Sequence, residues 1–258
     1  MLSFLQPTPE KPYGYWLPLN LSTHGAEIDH LINLLHIFIF LLFVGWGIYF
    51  AYVLLRFRVR PGQPAEPSVA QRRFRFPLWL EGGIVVFELI LLVYFSAPIW
   101  FRWKNNFPLN GDALHLRVVA QQFQWVIHYP GPDGKFGKTL LSLVDDANFL
   151  GLDPNDTTSK DDIVSLNHLH IPVGRPVVAH LSSKDVVHNF FIPVLRVKQD
   201  VIPGMTIPVW FQATGVGQNF EIACAQLCGN NHGNMRGFLH IDTAAEFENW
   251  LRQQESEK

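Results

Sequence analysis

The chain has 258 residues, a net charge of −2, 48% hydrophobic residues and only 16% charged ones. That composition excludes a disordered chain, and the charge balance leaves no basic footprint for nucleic acid. With only Cys224 and Cys228 in the sequence and no C-x-x-C-H run, a disulfide-rich secreted scaffold and covalently attached c-type haem are excluded as well.

The N-terminal tail, residues 1–29, carries prolines and polar residues where a signal peptide would carry its apolar region. Leu31 to Leu55 then runs for 25 residues without Asp, Glu, Lys or Arg. As a helix it is about 37 Å long, enough to cross a hydrocarbon core of about 30 Å. A second apolar run, Leu78 to Phe101, is interrupted by Glu81 and Glu88. Together they predict a transmembrane hairpin over residues 30–103. Its loop, 56–77, holds six arginines, Arg56, Arg58, Arg60, Arg72, Arg73 and Arg75, against the single acid Glu66. The positive-inside rule places that loop in the cytoplasm and both termini outside, in a bacterial-type inner (cell) membrane.

After Trp103 the composition turns polar, and NNFPLNG, Asn105 to Gly111, signals a linker. The segment 104–242 therefore reads as a domain outside the membrane, in an oxidising compartment. Its apolar runs are His115 to His128, Leu166 to Ile171, Val177 to Ser182, Ile207 to Ala213, Phe220 to Cys224 and Gly237 to Ile241, punctuated by Gly, Pro and Asp. That spacing predicts an antiparallel β-sandwich. Thr243 and Glu246 form a capping box ahead of Phe247, Trp250 and Leu251, predicting a short amphipathic helix over 243–258.

The most informative stretch is CAQLCGNNHGNM, which puts Cys224, Cys228, His232 and Met235 within twelve residues. Thiolates and a thioether select soft metals, copper foremost, and imidazole suits copper too. His188 is a further upstream candidate. Taken alone, the C-x₃-C fragment also fits a disulfide. A Cys₂His₂ zinc site is another alternative, although Met235 then has no role.

With SSKDVVHNFFIPVLRVKQDVIPGM upstream of it and the hairpin before that, this stretch resembles subunit II of haem–copper cytochrome c oxidases, over nearly the whole chain. The resemblance implies a cupredoxin-like sandwich holding a dinuclear copper centre, CuA. Cys224 and Cys228 would bridge the coppers, His188 and His232 would each ligate one, and Met235 and the backbone carbonyl of Gln226 would be weak ligands. It implies electrons arriving from cytochrome c or a haem c domain of a partner complex. They would pass to haem in subunit I, where oxygen is reduced and protons are translocated, alongside the other oxidase subunits and the lipid bilayer. Many members have Glu at the place of Gln226, and that carboxylate also binds Mg²⁺; the neutral amide leaves magnesium out of the firm cofactors. Phe123 and Trp125, in QFQW, stand where the family has Q-W-x-W, which makes them candidates for electron entry. Glu81 is a candidate for a proton path, and Glu88, deeper, is expected to face subunit I. Arg196 and Lys198 are expected either in a surface loop or against subunit I. A membrane-anchored copper carrier or assembly cupredoxin is the alternative from another functional class.

Six aspartates between Asp145 and Asp162, opposed only by Lys160, read either as a solvated loop or as a docking patch for a basic donor. His24, His30, His36, His168 and His170 read as structural.

Overall fold

The computed structural model describes residues 6–58, 61–62, 76–108 and 111–256. Arg60, Glu66, Arg72, Arg73 and Arg75 of the basic loop lie outside the described residues. The chain forms two compact units, one of residues 27–102 and one that joins residues 1–26 to 103–258.

In the first unit, α1 (Gly25–Arg56) is followed by α2 (Phe76–Ile90), a π-helical turn over Leu91–Ser96 and α3 (Ala97–Asn105). Gly25–Arg56 and the continuous stretch Pro77–Asn105 are both long and apolar enough to cross a membrane. Their side chains are largely exposed, the pattern of helices that face lipid rather than a protein core. Glu27 pairs with Arg102. Glu81 is exposed on α2, and Glu88 lines an apolar cleft with Leu31, Leu35 and Phe38 of α1.

The second unit is a sandwich of two five-stranded sheets. Its strands are β1 (Leu114–Gln121), β2 (Gln124–Tyr129), β3 (Ile163–Leu166), β4 (His168–Pro172), β5 (Pro176–Ser183), β6 (His188–Ile192), β7 (Val197–Val201), β8 (Ile207–Gln212), β9 (Gly217–Cys224) and β10 (Arg236–Asp242). The sheet orders are β3-β2-β1-β5-β8 and β4-β10-β9-β6-β7. Strand alternation builds the core: Leu114, Leu116, Val118 and Ala120 of β1 all point inward. The sandwich stands as the sequence predicts, but its sheets are mixed, because β1 pairs parallel to β5 and β4 parallel to β10.

Two of the apolar runs divide. His115 to His128 is a hairpin that reverses at Gln122 and Phe123, and no glycine, proline or asparagine marks the turn. Leu166 to Ile171 switches sheets at Asn167, whose φ of 61° lies in the left-handed region that asparagine tolerates. Asn167 Oδ1 accepts from the Trp125 N–H at 2.8 Å, and its own N–H donates to the Trp125 carbonyl at 2.8 Å.

The tail before α1 belongs to this unit. Leu21 N–H donates to the Val194 carbonyl at 2.8 Å, and Thr214 N–H donates to the Leu21 carbonyl at 2.9 Å. The Arg196 guanidinium holds the carbonyls of Leu19 at 3.2 Å and Pro18 at 2.7 Å. Arg196 is thus engaged by the chain's own tail.

At the other end, α4 (Ala244–Ser256) starts at the capping box. Thr243 N–H donates to Glu246 Oε2 at 2.9 Å, and Glu246 N–H donates to Thr243 Oγ1 at 3.3 Å. Phe247 is buried, and Trp250 stacks on His170 at 4.3 Å. Thr243→Ala removes the hydroxyl that accepts from the Glu246 N–H, while the residue's own N–H keeps its bond to Glu246, and should cost the domain about 1 kcal/mol, readable as a lower midpoint in denaturant unfolding.

Candidate metal centre

The residues of the sulfur-rich stretch meet at one end of the sandwich. Cys224 is the last residue of β9, and His188 is the first of β6, its antiparallel neighbour. The loop from Ala225 to Met235 returns the chain to β10. Two backbone bonds shape it: Cys224 N–H donates to the Met235 carbonyl at 3.3 Å, and Ala225 N–H to the Asn189 carbonyl at 3.1 Å.

The donor atoms converge. Cys224 Sγ lies 3.8 Å from Cys228 Sγ, 3.8 Å from His188 Nδ1 and 3.2 Å from the Gln226 carbonyl. Cys228 Sγ lies 3.5 Å from His232 Nδ1 and 3.8 Å from Met235 Sδ. Both cysteines are free and buried, and His188, Cys224 and Cys228 form a group whose donor atoms all lie within 4.8 Å of one another. Thiol, imidazole and thioether side by side, with both sulfurs unoxidised, suit a soft metal far better than an apolar core.

Electrostatics prepares the thiols unequally. Burial pushes the Cys224 thiol up, but its bonds to His188, to the Asn189 and Gln226 backbone and to Cys228 outweigh that and hold it below the ordinary thiol range. Burial and the neighbouring Cys224 push the Cys228 thiol up. The pair therefore releases its first proton readily and its second against a neighbouring charge, and a cation between them reverses that penalty. His188 is held in orientation by Asp185, whose Oδ1 accepts from Nε2 at 2.9 Å. With Nε2–H so committed, Nδ1 presents its lone pair to Cys224.

The family model for "Cytochrome C oxidase subunit II, periplasmic domain" matches residues 114–241. The alternative cytochrome c oxidase subunit 2 of Bradyrhizobium diazoefficiens is 31% identical over 243 residues, covering 94% of this chain and 84% of that one. The chain belongs to the cytochrome c oxidase subunit II family. A subunit 2 of Thermostichus vulcanus is 43% identical over 99 residues, covering 38% of this chain and 30% of its own length. Among solved structures, the periplasmic domain of subunit II (CoxB) of Bradyrhizobium japonicum is similar, with a TM-score of 0.43 and 25% identity over 58% of this chain and 99% of that one. As a member of that family the chain is a subunit of an oxidoreductase complex, cytochrome c oxidase, with two apolar helices and a periplasmic-type domain.

The candidate electron-entry residues occupy different layers. Trp125 is fully buried behind the site, its ring 6.2 Å from that of His188 and 5.3 Å from Phe190. Phe123 is only partly buried, at the tip of the β1–β2 hairpin, against Gly229 of the ligand loop. Of the six aspartates, several shape the loop itself. Asp162 is buried and pairs with His128 at 2.7 Å, Asp156 accepts from the Lys138 and Thr158 N–H groups, and Asp145 accepts from Ala147 and Asn148.

Sequence reasoning missed the partners of the ligands, Asp185 and Gln122. The Asp185-x-x-His188 spacing was the available signal for the first. It also missed a ladder of stacked rings, His168 on His240 and His240 on His170, at 5.3 and 4.2 Å. His170 bonds Asp242 at 2.8 Å and His240 bonds Gln218 at 2.5 Å, so this ladder is spent on tying β4 to β10 and α4.

Proposed function

We propose that this chain is the electron-entry subunit of its oxidase and holds a dinuclear copper centre of the CuA type. Cys224 and Cys228 would hold the metals through their sulfurs, His188 and His232 would bind through Nδ1, and Met235 and the Gln226 carbonyl would complete the set. What supports this is the convergence of five sulfur and nitrogen donors, each within 3.8 Å of the next. When bound, such a centre supplies one-electron transfer with the charge change spread over two metals. The rest is work for the chain's own residues. Asp185 fixes the His188 tautomer, and the strands carrying His188 and Cys224 limit how far the ligands move, which keeps reorganisation small.

Phe123, at the surface beside the ligand loop, is the nearest of the two aromatics to an incoming donor, and Trp125 backs the site from the core. Asp145 and Asp146, exposed on the long loop, suit a basic donor such as a cytochrome c or a haem c domain. Turnover with a soluble basic donor then falls as ionic strength rises; a flat profile removes the patch from the account. Electrons pass on to haem in subunit I, with reduction of oxygen and proton translocation there, and Glu81 offers a carboxyl for proton uptake. Gln226, a neutral amide, supplies no carboxylate for magnesium.

We infer both termini outside from the basic loop, and the part of that reading which puts them on one side has a physical support. The tail and the sandwich are hydrogen-bonded into one unit, so they share a side of the membrane and the two spans between them must cross and return.

Copper analysis with electron paramagnetic resonance on the assembled oxidase tests the centre. A hyperfine pattern from an electron shared equally by two coppers is expected. The pattern of a single copper would favour the carrier alternative.

A further inference from the structure

Three segments of chain meet at the metal centre, and only two of them carry ligands. The third is the tip of the β1–β2 hairpin, where Gln122 is exposed yet bonded at both its main chain and its side chain. Its backbone N–H donates to Asp185 Oδ2 at 2.6 Å, and Asp185 Oδ1 accepts from His188 Nε2 at 2.9 Å. Its side-chain Nε2–H donates to the carbonyl of Cys228 at 2.6 Å. One residue without a ligand atom thus spans from the imidazole side of the site to the thiol side.

The backbone around it is built for close approach. Gly229, next to Cys228, has φ +138°, and a Cβ there would lie 2.7 Å from Gln122 Nε2 and 3.1 Å from the Phe123 ring. Glycine lets the ligand loop lie directly on the hairpin tip. The same tip is tied to the segment before His188 by the Lys184 N–H, which donates to the Ala120 carbonyl at 3.0 Å.

We propose that Gln122 is a positioning residue for the metal centre: its two hydrogen bonds lock the Cys228 loop and the Asp185–His188 arm to one another and hold Phe123 against Gly229. The proposal rests on the copper reading above. Its chemistry needs a neutral donor at that place. A side chain of equal length without an N–H leaves the Cys228 carbonyl to water, and a carboxylate sets a negative charge against the carbonyl oxygen. A residue that served only to touch the electron donor would leave the metal's own spectrum alone.

The test compares the oxidase carrying Gln122→Met or Gln122→Glu with the unaltered one. Both variants are expected to retain the dinuclear paramagnetic signature. Their thiolate-to-copper absorption and hyperfine splittings shift, and copper is lost to a chelator roughly tenfold more readily, the lower end of what a ligand's hydrogen-bonded support is worth. The Glu variant shifts further than the Met variant. Spectra and copper loss unchanged in both variants overturn the proposal and leave the copper reading standing, even if the apparent affinity for the donor changes. An unaltered oxidase without a dinuclear signature overturns both.

Discussion

Cys228→Ser is expected to abolish the dinuclear copper signature and to slow donor-driven reduction of the subunit more than about a hundredfold, beyond what loss of a supporting hydrogen bond costs such a site. Cys228 is the residue around which the centre is arranged. Its sulfur is within 3.8 Å of those of Cys224 and Met235 and 3.5 Å from His232 Nδ1. Serine keeps the size but replaces a soft, ionisable sulfur with a hard hydroxyl that does not ionise, so no bridge forms. The fold should survive, because Cys228 lies in the loop between β9 and β10 and contributes to no strand pairing. Copper analysis, paramagnetic resonance and rapid-mixing reduction kinetics check the site, and far-ultraviolet circular dichroism checks the fold. Full reduction kinetics in this variant would remove the bridging role.

Trp125→Ala should act through the opposite route. Trp125 is among the largest fully buried side chains, packed edge-on against Phe190 and in contact range of Gly237, where a Cβ would lie 3.2 Å from the indole. Emptying that volume costs about 3–5 kcal/mol, a large fraction of a domain's stability. Denaturant unfolding followed by circular dichroism measures it. Trp125→Phe retains a ring beside His188 and should recover most of the loss. The pair of variants separates packing from electron entry. If the Phe variant is stable yet its reduction by the donor is slowed, the indole matters beyond its volume. If Trp125→Ala leaves reduction unchanged, Trp125 has no part in electron entry.

The centre was more legible in the sequence than the sandwich around it, for a physical reason. CAQLCGNNHGNM is local: four of the five candidate sulfur and nitrogen donors fall within twelve residues, with His188 apart on β6, and residue type alone tells that they prefer a soft metal. The charge-free run from Leu31 and the Thr243–Glu246 box are equally local. The hairpin at Gln122 was hidden because its reversal uses two ordinary side chains. The sheet switch at Asn167 was hidden inside an apolar run, because alternation continues through a residue whose backbone alone changes hand. The strands HNFFI and VKQDV carry too many polar groups to declare themselves. They are strands because of their neighbours: β6 lies between β7 and β9. The support of the ligands by Asp185 and Gln122 crosses 63 and 106 residues of sequence for its two Gln122 bonds, and the parallel pairing of β1 with β5 is equally non-local. Contacts of that kind leave no periodicity to read.

The bonding of the tail to the sandwich has a consequence for how the protein is made. Residues 18–23 leave the ribosome before either span, yet the carbonyl of Val194 and the guanidinium of Arg196, which they meet, are synthesised more than a hundred and fifty residues later. A segment made before the spans is therefore used only after the sandwich has been made. Until then it lacks these hydrogen-bond partners. A soluble fragment beginning at Lys104 would lack it altogether, leaving the Val194 carbonyl without that donor and uncovering the apolar surface that Leu21 shields.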